Sequence, residues 1–307
     1  MLALLTTPNG TAPMELREVA EPTPARNEAL VAVRAFSLNR GELRSIAHNG
    51  DGWIPGQDVA GVVLRSAEDG SGPAAGARVV ALTDEFGWAQ RVAVPAHRMA
   101  VLPDSVSFAQ ASTLPVAGLT ALRTLRHGGA LLGRRVLITG AAGGVGTLAI
   151  QLAKHSGAHV TAVVGSESRA DGLRELGATD VVVGIDNAQG RYALILEAAG
   201  GASLSQALRL IEPFGTLVVY GNSAAETTPI AFGDFRGAQN ARIQSFFYFT
   251  SEPEERFAPD LAMLVAAIDN GTLRPVIGAE RGWRDFAEVA ADLRARRIAG
   301  KAVFTVD

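Results

Sequence analysis

A glycine-rich turn between an apolar strand and an apolar-faced helix is the part of this sequence best suited to chemistry. The strand is predicted over Arg135–Thr139 and the helix over Val145–His155. Backbone N–H groups at a helix N-terminus bind phosphate, and glycine lets the phosphate come close because it has no Cβ atom. Ala141, Gly143 and Gly146 occupy the three positions of a dinucleotide-binding fingerprint, with alanine at the first. The residues of the turn predicted to contact the dinucleotide are Ala141, Ala142, Gly143, Gly144, Val145 and Gly146.

The end of the next predicted strand, His159–Val164, indicates which dinucleotide binds. Folds that bind NAD carry an acidic residue there for the ribose 2′-hydroxyl, whereas this chain has Gly165. Ser166, Ser168 and Arg169 follow, and hydroxyls beside a guanidinium suit a 2′-phosphate. The same residues also fit a polar loop in which Ser168 caps a helix and the arginine is solvated. We predict NADPH as the cofactor.

The elements around the turn predict a doubly wound parallel sheet, because strands alternate with helical crossovers such as Arg169–Leu176 and Ser203–Ile211. The six predicted strands are Arg135–Thr139, His159–Val164, Asp180–Val183, Tyr192–Glu197, Thr216–Tyr220 and Arg242–Phe247.

Ligands bind at the C-terminal ends of the strands in such sheets. We therefore predict that Gly221 and Asn222, which follow the fifth strand, contact the cofactor. Phe246 and Phe247 end the sixth strand and are also predicted as cofactor contacts. An aromatic run at a strand end equally fits a hydrophobic core.

The first third of the chain predicts an irregular β-rich domain, with short Val- and Ala-rich strands separated by Gly, Pro and Asn. After Pro253 the predicted helices Asp260–Asn270 and Trp283–Arg297 and the strand Ala302–Val306 have no place in the six-stranded sheet. We therefore expect the chain to return to its first domain. The predicted domains are 1–114 completed by 254–307, and 115–253.

Composition excludes several classes of function. The net charge of −3 lacks the basic footprint of a nucleic-acid-binding protein. The sequence contains no cysteine, which excludes disulfides, thiolate nucleophiles and zinc sites that use sulfur. The first residues lack the basic region of a signal peptide, and no apolar run approaches a membrane span. We expect a cytoplasmic protein with a small-molecule substrate and neither a nucleic-acid nor a membrane partner.

Motifs in a fixed order cover nearly the whole chain. They are PGQDVAG at Pro55–Gly61, GARVV at Gly76–Val80, GWAQ at Gly87–Gln90, LPVAGLTA at Leu114–Ala121, the glycine turn, and GKAV at Gly300–Val303. This series resembles the medium-chain dehydrogenases/reductases, most closely their zinc-independent quinone oxidoreductase branch. The resemblance implies a β-rich GroES-like catalytic domain split around a Rossmann domain, NADPH, hydride transfer to a quinone or activated alkene, and a homodimer.

The sequence departs from zinc-dependent members of that family. Those relatives have a cysteine near Asn39 and Gly-His-Glu where this chain has Gly56, Gln57 and Asp58. Alcohol oxidation in the family needs a Lewis acid to stabilise the alkoxide. The missing ligands therefore predict a metal-free enzyme.

The resemblance also suggests catalytic residues. The quinone branch has an Asn-Pro-x-Asp-x-Tyr run whose tyrosine lies near the nicotinamide, and here Asn39 is kept while Arg44 replaces the tyrosine. We predict that Asn39 and Arg44 donate hydrogen bonds to the substrate carbonyl oxygen that gains charge. Asn39 equally fits a turn residue. By resemblance, Thr120 and Lys301 are predicted cofactor contacts, although the Thr120 hydroxyl also suits a bond to a helix carbonyl.

The sequence thus predicts an NADPH-dependent, metal-free oxidoreductase that transfers hydride to a quinone or an α,β-unsaturated carbonyl compound. Two alternatives stay open, an enoyl-thioester reductase and an NADPH-binding sensor without turnover. The second alternative rests on Arg44, which replaces the family tyrosine near the nicotinamide.

Overall fold

The structure is a computed structural model that describes residues 1–7, 14–248 and 257–307. The chain divides into two compact units, one formed by Met1–Leu119 with Glu252–Asp307 and the other by Thr120–Ser251. The second domain boundary predicted from the sequence, between residues 253 and 254, lies outside the described residues.

The described elements follow in chain order. The strands are β1 (Leu2–Thr6), β2 (Met14–Glu18), β3 (Glu28–Leu38), β4 (Asp58–Arg65), β5 (Arg78–Leu82), β6 (Arg91–Pro95), β7 (Met99–Val101), β8 (Arg135–Thr139), β9 (His159–Val164), β10 (Asp180–Val183), β11 (Tyr192–Glu197), β12 (Ile211–Val219), β13 (Arg242–Ser245), β14 (Ile277–Gly282) and β15 (Lys301–Thr305). The helices are α1 (Arg40–Ile46), α2 (Phe108–Ser112), α3 (Leu119–Arg126), α4 (Gly144–His155), α5 (Gly201–Leu210), α6 (Phe257–Asp269) and α7 (Phe286–Arg294). No helix in the described part of the chain is long and apolar enough to cross a lipid bilayer.

The second unit contains the predicted parallel sheet. Within the described residues its six strands lie in the order β10-β9-β8-β11-β12-β13, and every neighbouring pair is parallel. This is the strand order of a Rossmann fold, in which β8 and β11 meet where the order reverses. Burial explains why the sequence predicted β8 and β11 with their observed bounds, since parallel strands covered on both faces read as continuous apolar runs.

One predicted crossover helix of this unit is wrong. The segment Arg169–Leu176 forms no α-helix, and a single 3₁₀ turn at Glu167–Arg169 is followed by further turns. Gly172 adopts φ +73°, a left-handed conformation that interrupts helical hydrogen bonding. The last strand also ends at Ser245 rather than at Phe247.

The first unit is β-rich, as predicted. Its described residues form an antiparallel pair, β1 with β2, and a mixed seven-stranded sheet ordered β14-β15-β3-β4-β5-β7, with β6 paired to β3. The C-terminal strand β15 pairs antiparallel with β3, so the end of the chain belongs to this sheet.

Four buried aromatic rings connect the two chain segments of this unit. Phe36 and Trp88 come from the N-terminal segment, and Phe286 and Phe304 come from the C-terminal one. The ring centroids of Phe36 and Phe304 are 5.1 Å apart, and those of Trp88 and Phe286 are 4.9 Å apart. Aromatic pairs at such distances stabilise the fold beyond the burial of their apolar surface. The N-terminal and C-terminal segments therefore share one hydrophobic core in this unit.

Candidate cofactor site and buried polar network

The glycine turn has the geometry of an anion site. Gly140 follows β8 with φ +61°, and the N–H of Gly143 donates to the Gly140 carbonyl at 2.9 Å. Gly143 caps α4, whose first helical hydrogen bond runs from the N–H of Thr147 to the Gly143 carbonyl at 3.0 Å. The N–H groups of Gly144 and its two successors therefore belong to the first turn, where the helix dipole favours negative charge.

Two glycines of the turn have different roles. A Cβ atom on Gly146 would lie 2.5 Å from the Ala141 carbonyl oxygen, so the close packing of α4 on the turn excludes any side chain there. A Cβ on Gly143 would meet the Gly140 carbonyl oxygen at 3.2 Å and no other heavy atom within 4 Å. The turn is thus closed by helix packing at Gly146 and open at Gly143, which fits a pyrophosphate lying against Gly143.

The residues predicted to select the cofactor lie beside this turn. Gly165 is exposed, and the hydroxyl oxygens of Ser166 and Ser168 are 3.0 Å apart. The Arg169 guanidinium donates to the Ala142 carbonyl of the glycine turn at 3.3 Å. Ser168 lies inside the 3₁₀ turn rather than at its N-cap, so the structure does not support its interpretation as a helix cap. The fold therefore brings the Arg169 guanidinium to the glycine turn, with the two hydroxyls on the same short segment.

Glu197 is a residue that the sequence analysis missed. It ends β11 and is fully buried. Its Oε1 accepts hydrogen bonds from the Thr139 hydroxyl at 3.1 Å, the Ser203 hydroxyl at 2.8 Å and the Ala199 N–H at 3.1 Å, and its Oε2 accepts from the Gly200 N–H at 2.9 Å. An acidic residue that ends a wholly apolar strand was the only signal for it in the sequence.

The electrostatic effect of this carboxylate reaches the next strand. Burial raises the pKa of the Tyr220 hydroxyl above its ordinary value, and the negative charge of Glu197 raises it further. Tyr220 therefore stays a neutral phenol at physiological pH.

Gly221 and Asn222 follow β12 and lie against the loop after β11. The Asn222 Oδ1 accepts the Ala225 N–H at 3.0 Å, and a Cβ on Gly200 would lie 2.2 Å from the same oxygen. Asn222 thus shapes two adjacent loops at the C-terminal end of the sheet.

The two phenylalanines predicted as cofactor contacts lie in different environments. Phe246 is 2% exposed, and its ring meets the His127 ring edge-on with centroids 6.0 Å apart. Phe247 is 58% exposed. The packing of Phe246 is that of a core residue, which was the alternative interpretation of this aromatic run.

Thr120 is buried near the start of α3. The hydroxyl that bonds back along this helix belongs to Thr124 and donates to the Thr120 carbonyl at 2.6 Å. The hydroxyl-to-carbonyl bond that the sequence suggested for Thr120 is therefore made one turn later, by Thr124. The contact of Thr120 with the cofactor stays a prediction.

A buried charge network occupies the first unit. Asp58 is fully buried on β4, and its Oδ2 accepts hydrogen bonds from the Asn39 amide at 2.8 Å, the Lys301 ammonium at 3.0 Å and the Ser37 hydroxyl. Its Oδ1 accepts the Val116 N–H at 2.7 Å. Each oxygen of this carboxylate is therefore compensated, as a buried charge requires.

Glu42 joins the network through backbone groups. Its two carboxyl oxygens accept the N–H groups of Asn39 at 2.7 Å and Gln57 at 2.9 Å. Burial and the negative charge of Asp58 raise the pKa of Glu42 to about 8. Glu42 is thus protonated more readily than a free carboxyl group, while Asp58 is paired with the ammonium of Lys301.

The network fixes the side chain of Asn39, one of the two predicted catalytic residues. Asn39 caps α1, and its amide is fixed because Oδ1 accepts from Lys301 while Nδ2 donates to Asp58. Arg44 lies on the exposed face of α1. Lys301 also donates to the Leu38 carbonyl, so contacts inside this unit occupy its three N–H groups. That geometry speaks against the predicted contact of Lys301 with the cofactor.

The described residues show what stands at the ligand positions of zinc-dependent relatives. In the described part of the chain, no group of three or more His, Cys, Asp or Glu side chains is placed to hold a metal ion. Asp58 binds the ammonium of Lys301, and Gln57 contributes a backbone N–H to Glu42.

Sequence comparison identifies one protein family and several individual proteins that are similar to this chain. The zinc-binding dehydrogenase family matches residues 144–266, a segment that contains neither Gln57 nor Asp58. The spectinabilin polyketide synthase system protein NorB of Streptomyces orinoci is 35% identical over 305 residues, which cover 94% of this chain and 14% of NorB. A chloroplastic quinone oxidoreductase of Triphysaria versicolor is 38% identical over 189 residues, which cover 56% of this chain and 57% of that protein. The chain therefore spans less than two thirds of the length of either relative.

Human quinone oxidoreductase matches along most of both chains. It is 30% identical over 298 residues, which cover 91% of this chain and 89% of the human protein. The structure of Escherichia coli quinone oxidoreductase complexed with NADPH covers 99% of this chain and is covered in full, with a TM-score of 0.87 and 21% identity. The structure of the Coxiella burnetii quinone oxidoreductase matches 100% of this chain over 99% of its own length, with a TM-score of 0.85 and 24% identity. These matches agree with the glycine turn and the split β-rich unit. The chain belongs to the medium-chain dehydrogenase/reductase superfamily, in its quinone oxidoreductase-like branch.

Proposed function

We propose that this chain is an NADPH-dependent oxidoreductase that transfers hydride to a quinone or an α,β-unsaturated carbonyl compound. The observation that carries the proposal is the turn at the start of α4, which is open at Gly143 and has Arg169 beside it. The similarity to human quinone oxidoreductase and the shared fold of the Escherichia coli complex with NADPH support it.

The chain's own residues bind and orient in this proposal, while a bound nicotinamide supplies the hydride. The first turn of α4 binds the pyrophosphate through its N–H groups. Arg169 and the two serines bind the 2′-phosphate. Asn39, whose amide plane the charge network fixes, donates an N–H to the carbonyl oxygen that gains negative charge.

The proposed reaction needs no metal. The charge at the position of a family zinc ligand, Asp58, is already balanced by Lys301. A hydrogen-bond donor is sufficient to stabilise an enolate or quinol oxygen during hydride transfer.

Turnover can be measured as loss of NADPH absorbance with three groups of acceptors: quinones, enones and enoyl thioesters. We expect consumption with quinones or enones, at the same rate with and without a metal chelator. NADPH consumption with enoyl thioesters alone would show that the proposed substrate class is wrong. Enoyl thioesters are included because the chain is similar to a polyketide synthase protein.

Two further results, from NADPH titration and from elemental analysis of the purified protein, would contradict the proposal. Binding of NADPH without turnover on any acceptor would identify a sensor. Stoichiometric zinc in the purified protein, lost together with activity on chelation, would exclude a metal-free reaction.

The position of the pyrophosphate predicts the effect of Gly143→Val. Gly143 has φ −87° and ψ 174°, which valine adopts readily, so the variant should fold. Its branched side chain would occupy the place of the phosphate, and we expect NADPH binding to be lost. Fluorescence titration and thermal unfolding measure the two effects.

Gly233→Val is a matched control for that variant, because Gly233 is exposed with no heavy atom within 4 Å of an added Cβ. It should bind NADPH like the unmodified protein. A folded Gly143→Val variant with unchanged affinity would show that the phosphates bind elsewhere.

The choice of cofactor predicts the effect of Arg169→Ala. A hydrogen bond to a charged group contributes about 1.5–3 kcal/mol, so affinity for NADPH should fall by roughly 10- to 100-fold. Affinity for NADH should change little, because NADH has no 2′-phosphate. Gly165→Asp should shift preference further toward NADH, since it adds a ribose acceptor and repels the phosphate.

Titrating both cofactors against Arg169→Ala, with Arg174→Ala as the control on the same segment, tests this prediction. Equal losses for NADH and NADPH would mean that Arg169 acts only by holding the Ala142 carbonyl.

We further propose that two copies of the chain associate as a homodimer through strand β13. Within the described residues β13 is an edge strand, all four of its residues are exposed, and Ile243 is 47% exposed. An exposed sheet edge is a template for pairing with another chain.

Light scattering should give twice the chain mass, and Ile243→Lys should shift the protein toward the monomer. A monomeric unmodified protein at micromolar concentration would contradict the proposal. The cytoplasmic location and the lack of nucleic-acid and membrane partners stay predictions.

A further inference from the structure

Glu197 is a fully buried carboxylate whose neighbours are all hydrogen-bond donors. Two hydroxyls and two backbone N–H groups point at its two oxygens, at 2.8–3.1 Å. An ionised carboxylate only accepts hydrogen bonds, so it matches this set of donors, whereas an amide would direct its own N–H₂ at one of them. The site therefore selects glutamate for charge as well as for size.

Glu197 lies at the point of the sheet where a dinucleotide crosses. It ends β11, which neighbours β8 where the strand order reverses. The fold consists of two mononucleotide-binding halves, and β11 begins the half that follows the glycine turn along the chain. In a dinucleotide-binding protein with its pyrophosphate on the first turn of α4, that second half faces the nicotinamide nucleoside.

The hydrogen bonds to Glu197 set the shape of the loop that follows it. The N–H groups of Ala199 and Gly200 turn inward to the carboxylate, and Gly200 adopts φ +76°. The Thr139 hydroxyl, which donates to Glu197, also accepts the Ala198 N–H at 2.9 Å. One side chain thus ties the loop after β11 to the end of β8, directly before the glycine turn.

The loop after β12 depends on this arrangement. Gly200 has no room for a Cβ because Asn222 Oδ1 would lie 2.2 Å away. The N–H groups of Ser223 and Ala224 donate to the carbonyls of Ala198 and Ala199 at 3.0 and 2.8 Å, so a shift of the loop after β11 would move the loop after β12 as well. Both loops at the C-terminal ends of β11 and β12 are held in place through the contacts of Glu197.

We propose that Glu197 is a positioning residue that fixes these two loops against the nicotinamide half of the cofactor. The inference rests on the proposed function, because it requires a nicotinamide dinucleotide. It assigns to Glu197 no contact with the reacting atoms, and its effect is on the placement of the nicotinamide rather than on the binding of the adenine half.

The test compares the binding of two ligands, NADPH and 2′-phospho-ADP-ribose, to the Glu197→Gln variant. The second ligand keeps the pyrophosphate and the 2′-phosphate and lacks the nicotinamide. Loss of hydrogen bonds to a charged group predicts that affinity for NADPH falls by about tenfold or more. Affinity for 2′-phospho-ADP-ribose should stay within about twofold. Titration calorimetry gives both dissociation constants without any assay of turnover.

Glu212→Gln is the matched control, because Glu212 lies in the same unit and its ion pair with Arg134 is at the surface. It should bind both ligands like the unmodified protein. An equal loss of both ligands in Glu197→Gln would assign Glu197 to general stability and overturn the inference, and so would an unchanged affinity for NADPH.

Ser203→Ala covers the case in which Glu197→Gln does not fold. It removes one donor to the carboxylate and keeps its charge, so it should lower NADPH affinity by a few-fold and leave 2′-phospho-ADP-ribose unaffected. Equal effects on both ligands in this variant would overturn the inference. If the unmodified protein bound neither ligand, the proposed function itself would fail, and the inference with it.

Discussion

The close contact between Gly146 and the backbone of Ala141 sets the geometry of the glycine turn, on which the candidate cofactor site in the second unit depends. A Cβ atom at Gly146 would lie 2.5 Å from the Ala141 carbonyl oxygen, so the first turn of α4 reaches the end of β8 only because that atom is missing. This approach places the N–H groups of α4 at the C-terminal edge of the sheet. Arg169 is held by a carbonyl of the same turn, and Glu197 is tied through Thr139 to the same strand end.

Three buried carboxyl groups are stabilised in three different ways. Asp58 is paired with the ammonium of Lys301, Glu42 accepts two backbone N–H groups and has a raised pKa, and Glu197 is surrounded by four donors. A buried ionised group without such compensation costs several kcal/mol. Each solution fixes nearby backbone or amide groups, so the residues that compensate the charge also set the positions of Asn39 and of the loop after β11.

Local patterns predicted the parts of the molecule that local physics controls. β8 and β11 are mostly apolar and buried, and β8, β9, β10 and β11 have the predicted bounds. The helix predicted over Arg169–Leu176 is wrong because Gly172, inside that segment, takes a left-handed conformation. The glycine turn was found because its neighbours in sequence are also its neighbours in space.

The polar networks could not be found in this way. Lys301 and Asp58 are 243 residues apart in the chain, and Thr139 and Glu197 are 58 apart, so no spacing in the sequence links them. Their pairing follows from sheet registers, since β15 and β4 both pair with β3 and bring Lys301 and Asp58 to its end.

The charge network also bears on how the proposed reaction could stabilise negative charge without a metal ion. On the proposed function, the carbonyl oxygen of the acceptor gains charge and needs a donor. The Lys301 ammonium donates to the Asn39 oxygen and draws electron density from the amide, which makes the amide N–H a stronger donor. Asp58 holds the other side of the same amide and prevents it from turning over. On the proposed function, the ion pair of Lys301 and Asp58 would thus act by holding the Asn39 amide in one orientation, with one N–H bonded to Asp58 and the other left for the acceptor oxygen.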